Sequence, residues 1–190
     1  STNVTNALEH VRIEYAGSST VDGNKAGLTL DDYYDGKVGL TSVTVSNTDG
    51  YGVVAGTGTV FTAFAGNTFS GNAAAPLLVH PNNVHRLDTA SSYATGNGVA
   101  AVEVFGGTFT EGGSSASWPS VGIPYRLLDD LTVRTSWHID AGVVLELASD
   151  VLVRVDDLNA ASDAGIVAVG SAGAPIVFTG VTKTPGFWQG

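Results

Sequence analysis

The sequence has no cysteine and no methionine, and its few charged residues are mostly acidic. The lack of cysteine excludes disulfides, thiolate metal sites and a cysteine nucleophile. With 8 Lys and Arg residues against 18 Asp and Glu residues, the formal net charge is −10 at pH 7. A nucleic-acid-binding surface must be basic to contact phosphates, so DNA and RNA are excluded as partners.

Long hydrophobic runs are also missing. No stretch of 18 consecutive apolar residues occurs, so membrane insertion by this segment is not expected. The first thirty residues lack a basic region followed by an apolar one, and no signal peptide is predicted there. Because 43% of the residues are hydrophobic, the chain is too apolar for a disordered acidic tail, and residues 1–190 are predicted to form a single domain. We expect this domain to be a segment of something longer.

Residues that favour strands over helices dominate the composition. The chain has 25 Val, 20 Thr and 5 Ile residues, but only 5 Glu and 3 Lys residues to cover exposed helix faces. Apolar and polar residues alternate in short runs, which predicts strands with one buried face. These runs are 11–15, 28–30, 43–46, 102–105, 143–147, 151–155 and 176–178. The predicted fold class is all-β.

Similar segments recur at a nearly constant spacing. An offset of 24 aligns 44–46 with 68–70 and 53–54 with 77–78, and an offset of 32 aligns the apolar positions of 8–13 with those of 40–45. Near the C-terminus, 143–145 aligns with 166–168 at an offset of 23, and 151–153 with 176–178 at 25. Such a period predicts a parallel β-helix, a solenoid with coils of about 23–25 residues and loop excursions. A β-sandwich or a propeller is the alternative, and the recurring offset weighs against the sandwich.

Asparagines mark several predicted turns of this repeat. At such positions Asn either adopts a left-handed backbone or stacks with its equivalents as an amide ladder, and the simple turn is the favoured interpretation. The residues concerned are Asn47, Asn67, Asn72 and Asn97.

Four sequence segments resemble a known family. Residues 137–147 read W-H-I-D-A-G-V-V-L-E-L, 174–180 read A-P-I-V-F-T-G, 185–190 read P-G-F-W-Q-G, and 8–17 read L-E-H-V-R-I-E-Y-A-G. This pattern resembles the right-handed parallel β-helix repeats of secreted or surface-attached bacterial proteins, which have the pectate-lyase-like superfamily fold. The resemblance implies a right-handed helix and an extracellular or cell-surface location. The order of the segments is cyclically permuted, which suggests excision from a tandem array or a unit that stacks end to end.

The ends of a β-helix are open sheet edges, and no capping helix is visible in the sequence. We therefore expect this chain to associate with itself end to end, or to pair with neighbouring repeats of the same polypeptide.

Acidic residues form two groups with the chemistry of a calcium site. Ca²⁺ takes six to eight oxygen ligands, which such carboxylates supply. The alternative, that they are solvated loop carboxylates, is favoured because no calcium-loop motif is present. No other cofactor is predicted. The candidate ligands are Asp31, Asp32, Asp35, Asp156, Asp157 and Asp163.

Aromatic residues in predicted loops are candidates for contact with a sugar ring or a partner protein. We select Tyr33, Tyr34, Trp118 and Tyr125. The segment 106–124 is the longest predicted excursion from the repeat, and the loops at 18–26 and 31–37 are further candidate contact surfaces.

The sequence assigns no catalytic residue, and whether the chain is an enzyme stays open. The hydrolases of this fold have a series of Asn-x-Asp, Asp-Asp, Gly-His-Gly and Arg-x-Lys motifs that is not present as a set. We expect a non-enzymatic structural or adhesive element of an exported bacterial surface protein or filament. The alternative is a polysaccharide-active β-helix, either a lyase or a glycoside hydrolase, or a carbohydrate-binding module.

Overall fold

The computed structural model describes residues 6–30, 36–156 and 163–189. In these ranges almost every regular element is a short strand, as the abundance of Val, Thr and Ile predicts. The elements are β1 (Asn6–Glu9), β2 (Arg12–Glu14), β3 (Thr20–Val21), β4 (Asn24–Leu30), β5 (Gly36–Thr41), β6 (Thr44–Ser46), β7 (Tyr51–Ala55), β8 (Thr59–Ala65), β9 (Thr68–Ser70), β10 (Leu77–Val79), α1 (Pro81–Val84), β11 (Val102–Val104), β12 (Gly107–Phe109), β13 (Tyr125–Leu127), β14 (Leu131–Val133), β15 (Ser136–Ile139), β16 (Val144–Leu147), β17 (Val153–Val155), β18 (Gly165–Ala168) and β19 (Val177–Gly180). The all-β expectation is confirmed.

The strands pair mostly in parallel. The largest sheet has the order β19-β16-β13-β11-β10-β7-β4-β3, and its only antiparallel ladder within the described residues joins β3 to β4. The smaller sheets have the orders β1-β5-β8, β2-β6-β9, β12-β14-β17 and β15-β18, and all their ladders are parallel. Apart from the β3–β4 hairpin, strands that neighbour each other in these sheets are therefore not consecutive elements of the chain.

Alternation along each strand selects the side chains that enter the core. In β13, for example, Tyr125 and Leu127 are buried, whereas Arg126 between them points outward. Inward residues of neighbouring strands are register partners, so they stack directly on one another, as Val53 does on Leu77. The result is one continuous core of Val, Leu and aromatic side chains that extends from Val38 to Val151.

The registers of the N-terminal half match the predicted offsets. Thr44 pairs with Thr68 and Val53 pairs with Leu77, which are the partners that the shorter offset predicts. Leu8 pairs with Leu40 and Ile13 pairs with Val45, as the longer offset predicts. Here the recurrence of apolar residues identified the true neighbours, because these segments occupy the same position in the same sheet.

The two offsets assigned near the C-terminus are wrong. Leu145 pairs with Phe178, and Ile166 pairs with Trp137, so 143–145 and 166–168 are not neighbours. Val153 pairs with Leu131 rather than with the later segment 176–178. The runs 143–145 and 166–168 look alike because both are apolar strands, but they belong to different sheets, and chain inserted between strands lengthens the spacing of the true partners.

Buried asparagines form hydrogen bonds to segments about one repeat away in the chain. For most of the four asparagines, this corrects the interpretation that they only form turns. Asn72 donates from its amide to the Oδ1 of Asn97 (2.9 Å) and accepts from the hydroxyl of Thr48 (3.0 Å). Asn67 bonds to backbone groups of the preceding level, whereas only Asn47 is exposed with a left-handed backbone (φ 55°). Where the chain turns between strands, a buried amide whose oxygen accepts and whose nitrogen donates replaces the hydrogen bonds of the backbone ladder.

Helix α1 stands where a strand would otherwise lie between β8 and β12. Asn83 accepts from the backbone N of Phe61 (3.1 Å) and donates to the carbonyl of Thr59 (2.8 Å). On the other side, Asn82 accepts from the backbone N of Thr110 (2.9 Å) and donates to its hydroxyl (3.0 Å). The β1-β5-β8 and β12-β14-β17 sheets are therefore connected through side-chain amides, not through a backbone ladder.

Close backbone approach at one turn gives a first testable expectation. A Cβ added to Gly98 would lie 2.1 Å from the carbonyl oxygen of Ala73, a backbone atom that cannot swing away. We expect Gly98→Ala to lower the free energy of unfolding by about 1–3 kcal/mol, the usual range for overpacking. Gly165→Ala is the matched control, because a Cβ there meets nothing within 4 Å. Urea unfolding of both variants checks this, and equal midpoints would contradict it.

Candidate functional site

Two of the predicted contact aromatics belong to the core, which corrects their assignment to exposed loops. Trp118 and Tyr125 are fully buried, and their ring centroids lie 5.5 Å apart. The Tyr125 hydroxyl donates to the carbonyl of Pro119 (2.7 Å), and Trp118 pairs with Ile139 through a parallel bridge. Neither ring has a free face for a sugar.

The predicted excursion 106–124 is itself partly built into the fold. It contains strand β12, and Ala116 and Trp118 within it are buried. Proline, glycine and serine surround Trp118 in sequence, which is why the segment resembles an exposed loop. The other two predicted contact residues, Tyr33 and Tyr34, lie outside the described residues.

The predicted calcium ligands are only partly described. Asp31, Asp32, Asp35 and Asp157 lie outside the described residues, and Asp163 is exposed. Asp156 lies 3.5 Å from Arg134 and 3.8 Å from Arg154, so its charge is already paired. Within 6–30, 36–156 and 163–189, no three carboxylate or imidazole side chains form a group that would hold a metal ion. Calcium stays a prediction.

A row of charged residues that the sequence analysis did not identify crosses the outer face of the largest sheet. Glu103, Arg126 and Glu146 are register partners on β11, β13 and β16. Arg126 donates from Nε and an Nη atom to Glu146 Oε2 (3.1 and 2.8 Å), and its other Nη atom lies 3.7 Å from Glu103 Oε1. The signal in the sequence is a charged residue flanked by apolar ones in V-E-V, Y-R-L and L-E-L.

Glu103 in this row is almost completely buried and has a second partner. The Tyr51 hydroxyl donates to Glu103 Oε2 (2.7 Å). Burial, and then the adjacent carboxylate, raise the pKa of Tyr51 well above its ordinary value of 10, so the phenol stays a donor at physiological pH. Glu103 and Glu146 are thus both held by one arginine, an arrangement that fits an ion-pair ladder rather than a free general acid and base.

All five arginines are in similar ion pairs. Besides Arg126, the pairs are Arg12 with Glu14, Arg86 with Glu111, and both Arg134 and Arg154 with Asp156. A polysaccharide lyase needs a basic residue free to take a proton from an acidic sugar. The arginines of this chain are instead bound to its own carboxylates.

An open groove lies beside the β3–β4 hairpin, with a volume of about 500 Å³. Its wall includes the half-buried ring of Phe105 and hydroxyl, amide and carboxylate groups, but no lysine or arginine of the described residues lines it. An aromatic face with surrounding hydrogen-bonding groups suits a neutral, hydroxyl-rich ligand, whereas an anionic sugar would be repelled by the carboxylates. The polar lining residues are Asp22, Asn24, Thr29, Thr57 and Asp129.

The two histidines at helix α1 have structural partners. His80 is the N-cap residue, and its Nδ1 accepts from the backbone N of Asn82 (3.3 Å). His85 Nε2 lies 3.8 Å from Glu111 Oε2. Burial lowers the pKa of each imidazole below its ordinary value of 6.5, against the opposing effect of Glu111. Both rings therefore favour the neutral form in the folded chain.

This gives a pH-dependent expectation for His80. Its pKa is lower in the folded chain than in the unfolded chain, so its contribution to stability is complete above pH 6.5 and is lost as the pH falls through the folded pKa. A protonated Nδ1 would also no longer accept from Asn82. His80→Asn keeps a capping acceptor but removes the titration.

We expect the wild type to lose more stability than His80→Asn when urea unfolding is compared at pH 7.5 and pH 5.5. Equal losses in the two proteins would contradict a role for His80 in the pH dependence.

Apolar side chains at the two ends of the strand stack are incompletely covered. The N-terminal end layer is Leu8, Ile13, Leu28 and Leu30, and the C-terminal end layer is Val153, Val155, Ile166 and Phe178. Each of these eight residues is the register partner of a fully buried residue, so each points toward the core. Val155, Ile166 and Phe178 nevertheless remain 43%, 41% and 36% exposed.

The strands that carry these layers are also sheet edges. In the described part of the chain, β1 and β2 have a parallel partner on one side only, and so do β17, β18 and β19. On β4, the short strand β3 covers only Asn24 and Lys25. Both ends therefore combine open backbone hydrogen-bonding groups with apolar side chains that are only partly buried at the N-terminal end and exposed at the C-terminal end, which is the combination that pairs with further strands.

Comparisons with protein-family models, with curated proteins and with solved structures give no match. In the described residues, the only helix is far too short to cross a membrane. The functional proposal therefore depends on the residues and the geometry of this chain.

Proposed function

We propose that this chain is a right-handed parallel β-helix segment that serves as a structural or adhesive element of an exported bacterial surface protein or filament. The observation that carries the proposal is the pair of end layers on open strand edges. Inward-facing side chains such as Ile166 and Phe178 are partly exposed, and among the described residues no strand pairs with the outer edges of β18 and β19. An element built to be continued at both ends acts by extending a rod.

The β-helix itself is supported by the ladder pattern. Several turns of the chain visit three strand positions in the same order, as in β5, β6 and β7 followed by β8, β9 and β10. Their partners are parallel, and most lie about one predicted repeat further along the chain, which fits stacked coils. The right hand of the helix comes from the family resemblance, as do export and the surface location.

Electron microscopy and fibre diffraction of the protein from its natural source test this function. We expect rods with an axial repeat of about 4.8 Å, the spacing of neighbouring strands. Labelling of intact cells with an antibody to the chain tests the surface location. Compact particles whose two ends are covered by a different fold, or a signal only after cell lysis, would contradict the proposal.

The groove at Phe105 favours a second candidate function, a carbohydrate-binding or polysaccharide-active β-helix. Its carboxylates and its lack of cations among the described lining residues point to neutral rather than acidic polysaccharides. Binding and degradation assays with neutral and acidic glycans test this candidate. We expect Phe105→Ala to abolish any binding to neutral glycans, whereas Leu128→Ala, an exposed residue outside the groove lining, should leave it unchanged. Lack of binding by the wild type would eliminate this function.

A further inference from the structure

From the geometry of the two ends, we infer that the C-terminal end layer of one copy of this chain binds the N-terminal end layer of a second copy, head to tail. The inference rests on the proposed function and names the partner at the open ends. It commits to another molecule of the same chain rather than to an unrelated protein.

The open strands at the two ends match in position. The open strands at the C-terminal end are β17, β18 and β19, and those at the N-terminal end are β1, β2 and β4, in the same order along the chain. β4 and β19 belong to one sheet. β1 and β17 belong to the two sheets that α1 connects. β2 and β18 belong to the remaining pair of sheets, β2-β6-β9 and β15-β18. A second copy therefore offers one open strand to each open strand of the first.

Strand direction selects head-to-tail contact over contact between like ends. Apart from β3–β4, every ladder in the described chain is parallel. A copy displaced along the stack continues all three positions in parallel, as the chain already does within itself. Two copies joined by like ends through a two-fold axis would instead place identical edges antiparallel, a pairing that these strands do not otherwise use.

The hairpin leaves enough of β4 open for this contact. β3 pairs only with Asn24 and Lys25, so the edge from Ala26 to Leu30 is free of β3. The incoming strand β19, Val177–Gly180, is short enough to fit along this edge. β3 therefore blocks one end of the edge and limits the register at which a second copy pairs.

Charge also favours contact at the ends over contact along the sides. Residues 163–189 contain one carboxylate and one lysine, and residues 6–30 contain three carboxylates and two cations. Residues 36–156 contain ten carboxylates but only five lysines and arginines. Side-by-side copies would bring these surplus carboxylates together, whereas the described residues of 6–30 and 163–189 add little net charge to a contact between ends.

Two variants, each blocked at one end, test the inference. Ile166→Lys with Phe178→Lys blocks the C-terminal layer, and Ile13→Lys with Leu28→Lys blocks the N-terminal layer. Circular dichroism verifies that each double variant is folded. If one is not, the single substitution Val155→Lys replaces the C-terminal variant and Leu8→Lys replaces the N-terminal variant. The readout is analytical ultracentrifugation of the whole protein at concentrations up to high micromolar.

We expect the wild type to form concentration-dependent oligomers, each blocked variant alone to stay monomeric, and an equal mixture of the two to form dimers only. The dimers join the one open C-terminal end to the one open N-terminal end. Dimers of a blocked variant by itself would overturn the inference in favour of contact between like ends.

A wild type that stays monomeric would also overturn the inference. It would leave the proposed function standing, because the open ends would then be continued by coils of the same polypeptide. Electron microscopy of the natural protein distinguishes these outcomes, since rods formed without oligomerisation of the chain support the proposed function alone.

Discussion

Replacing Trp137 by alanine should lower the free energy of unfolding by about 3–5 kcal/mol, the usual cost of removing a buried tryptophan. Trp137 is fully buried, and its ring centroid lies 4.9 Å from that of Trp118 and 6.2 Å from that of Phe178. The indole connects the buried core with the C-terminal end layer. Its loss would open a cavity that rigid strands on all sides cannot close.

Urea unfolding followed by circular dichroism measures this effect, with two matched variants. Trp137→Phe should cost much less, because the indole N–H has no hydrogen-bond partner among the described residues and the aromatic contacts partly remain. Val169→Ala removes two methyl groups from a side chain that is 74% exposed, and should change stability by no more than about 0.5 kcal/mol. A Trp137→Ala effect as small as that of Val169→Ala would show that the core is not packed as described.

Replacing Asn67 by leucine should lower the free energy of unfolding by about 2–4 kcal/mol, although leucine has a similar size and is more apolar. Asn67 is buried, and its Oδ1 accepts from the backbone N of Val43 (2.9 Å) while its Nδ2 donates to the carbonyl of Leu40 (3.0 Å). Leucine would remove a partner from both backbone groups in a buried place, at about 1–3 kcal/mol for each group.

Asn6→Leu is the control for this substitution, because Asn6 is exposed and its side chain makes, within the described part of the chain, only a long contact (3.4 Å) to the carbonyl of Lys37. We expect its effect to stay within about 0.5 kcal/mol. If Asn67→Leu stabilised the protein, the gain from apolar burial would exceed the loss of the hydrogen bonds, and the amide contacts between levels would not matter for stability.

The sequence predicted strand pairing correctly where the similar segments belong to the same sheet, and incorrectly where they belong to different sheets. Alternating apolar residues located seven of the nineteen described strands. The recurrence of Thr44–Ser46 at Thr68–Ser70 gave the correct register, because the chain between them has the length of one regular repeat. The same comparison of offsets did not identify Leu145 and Phe178 as register partners. The chain between these two residues is longer than one regular repeat. The sequence of a short apolar strand also does not indicate the sheet to which the strand belongs.

The candidate site was less predictable, because burial depends on distant neighbours. Trp118 follows Ser117 and precedes Pro119, which indicates a loop, yet Ile139 and Tyr125 enclose it. Glu103 is isolated in sequence, and only the folded sheet places it beside its register partner Arg126 and within reach of the Tyr51 hydroxyl on β7. For the end layers, the sequence predicted the strands but not how exposed their side chains are. Ile166 and Phe178 were recognisable as inward-facing strand residues, but their exposure depends on what stacks beyond them.

The replacement of a strand by α1 has a mechanical consequence for the molecule. At this level the backbone ladder continues through β10 and β11 in the largest sheet, whereas between β8 and β12 it is replaced by the amides of Asn82 and Asn83. Under tension along the stack, the largest sheet carries the load in a continuous series of backbone bonds. The side of α1 carries it in a few side-chain bonds that break independently. A pulled chain should therefore bend and open first at α1, with the largest sheet acting as the hinge.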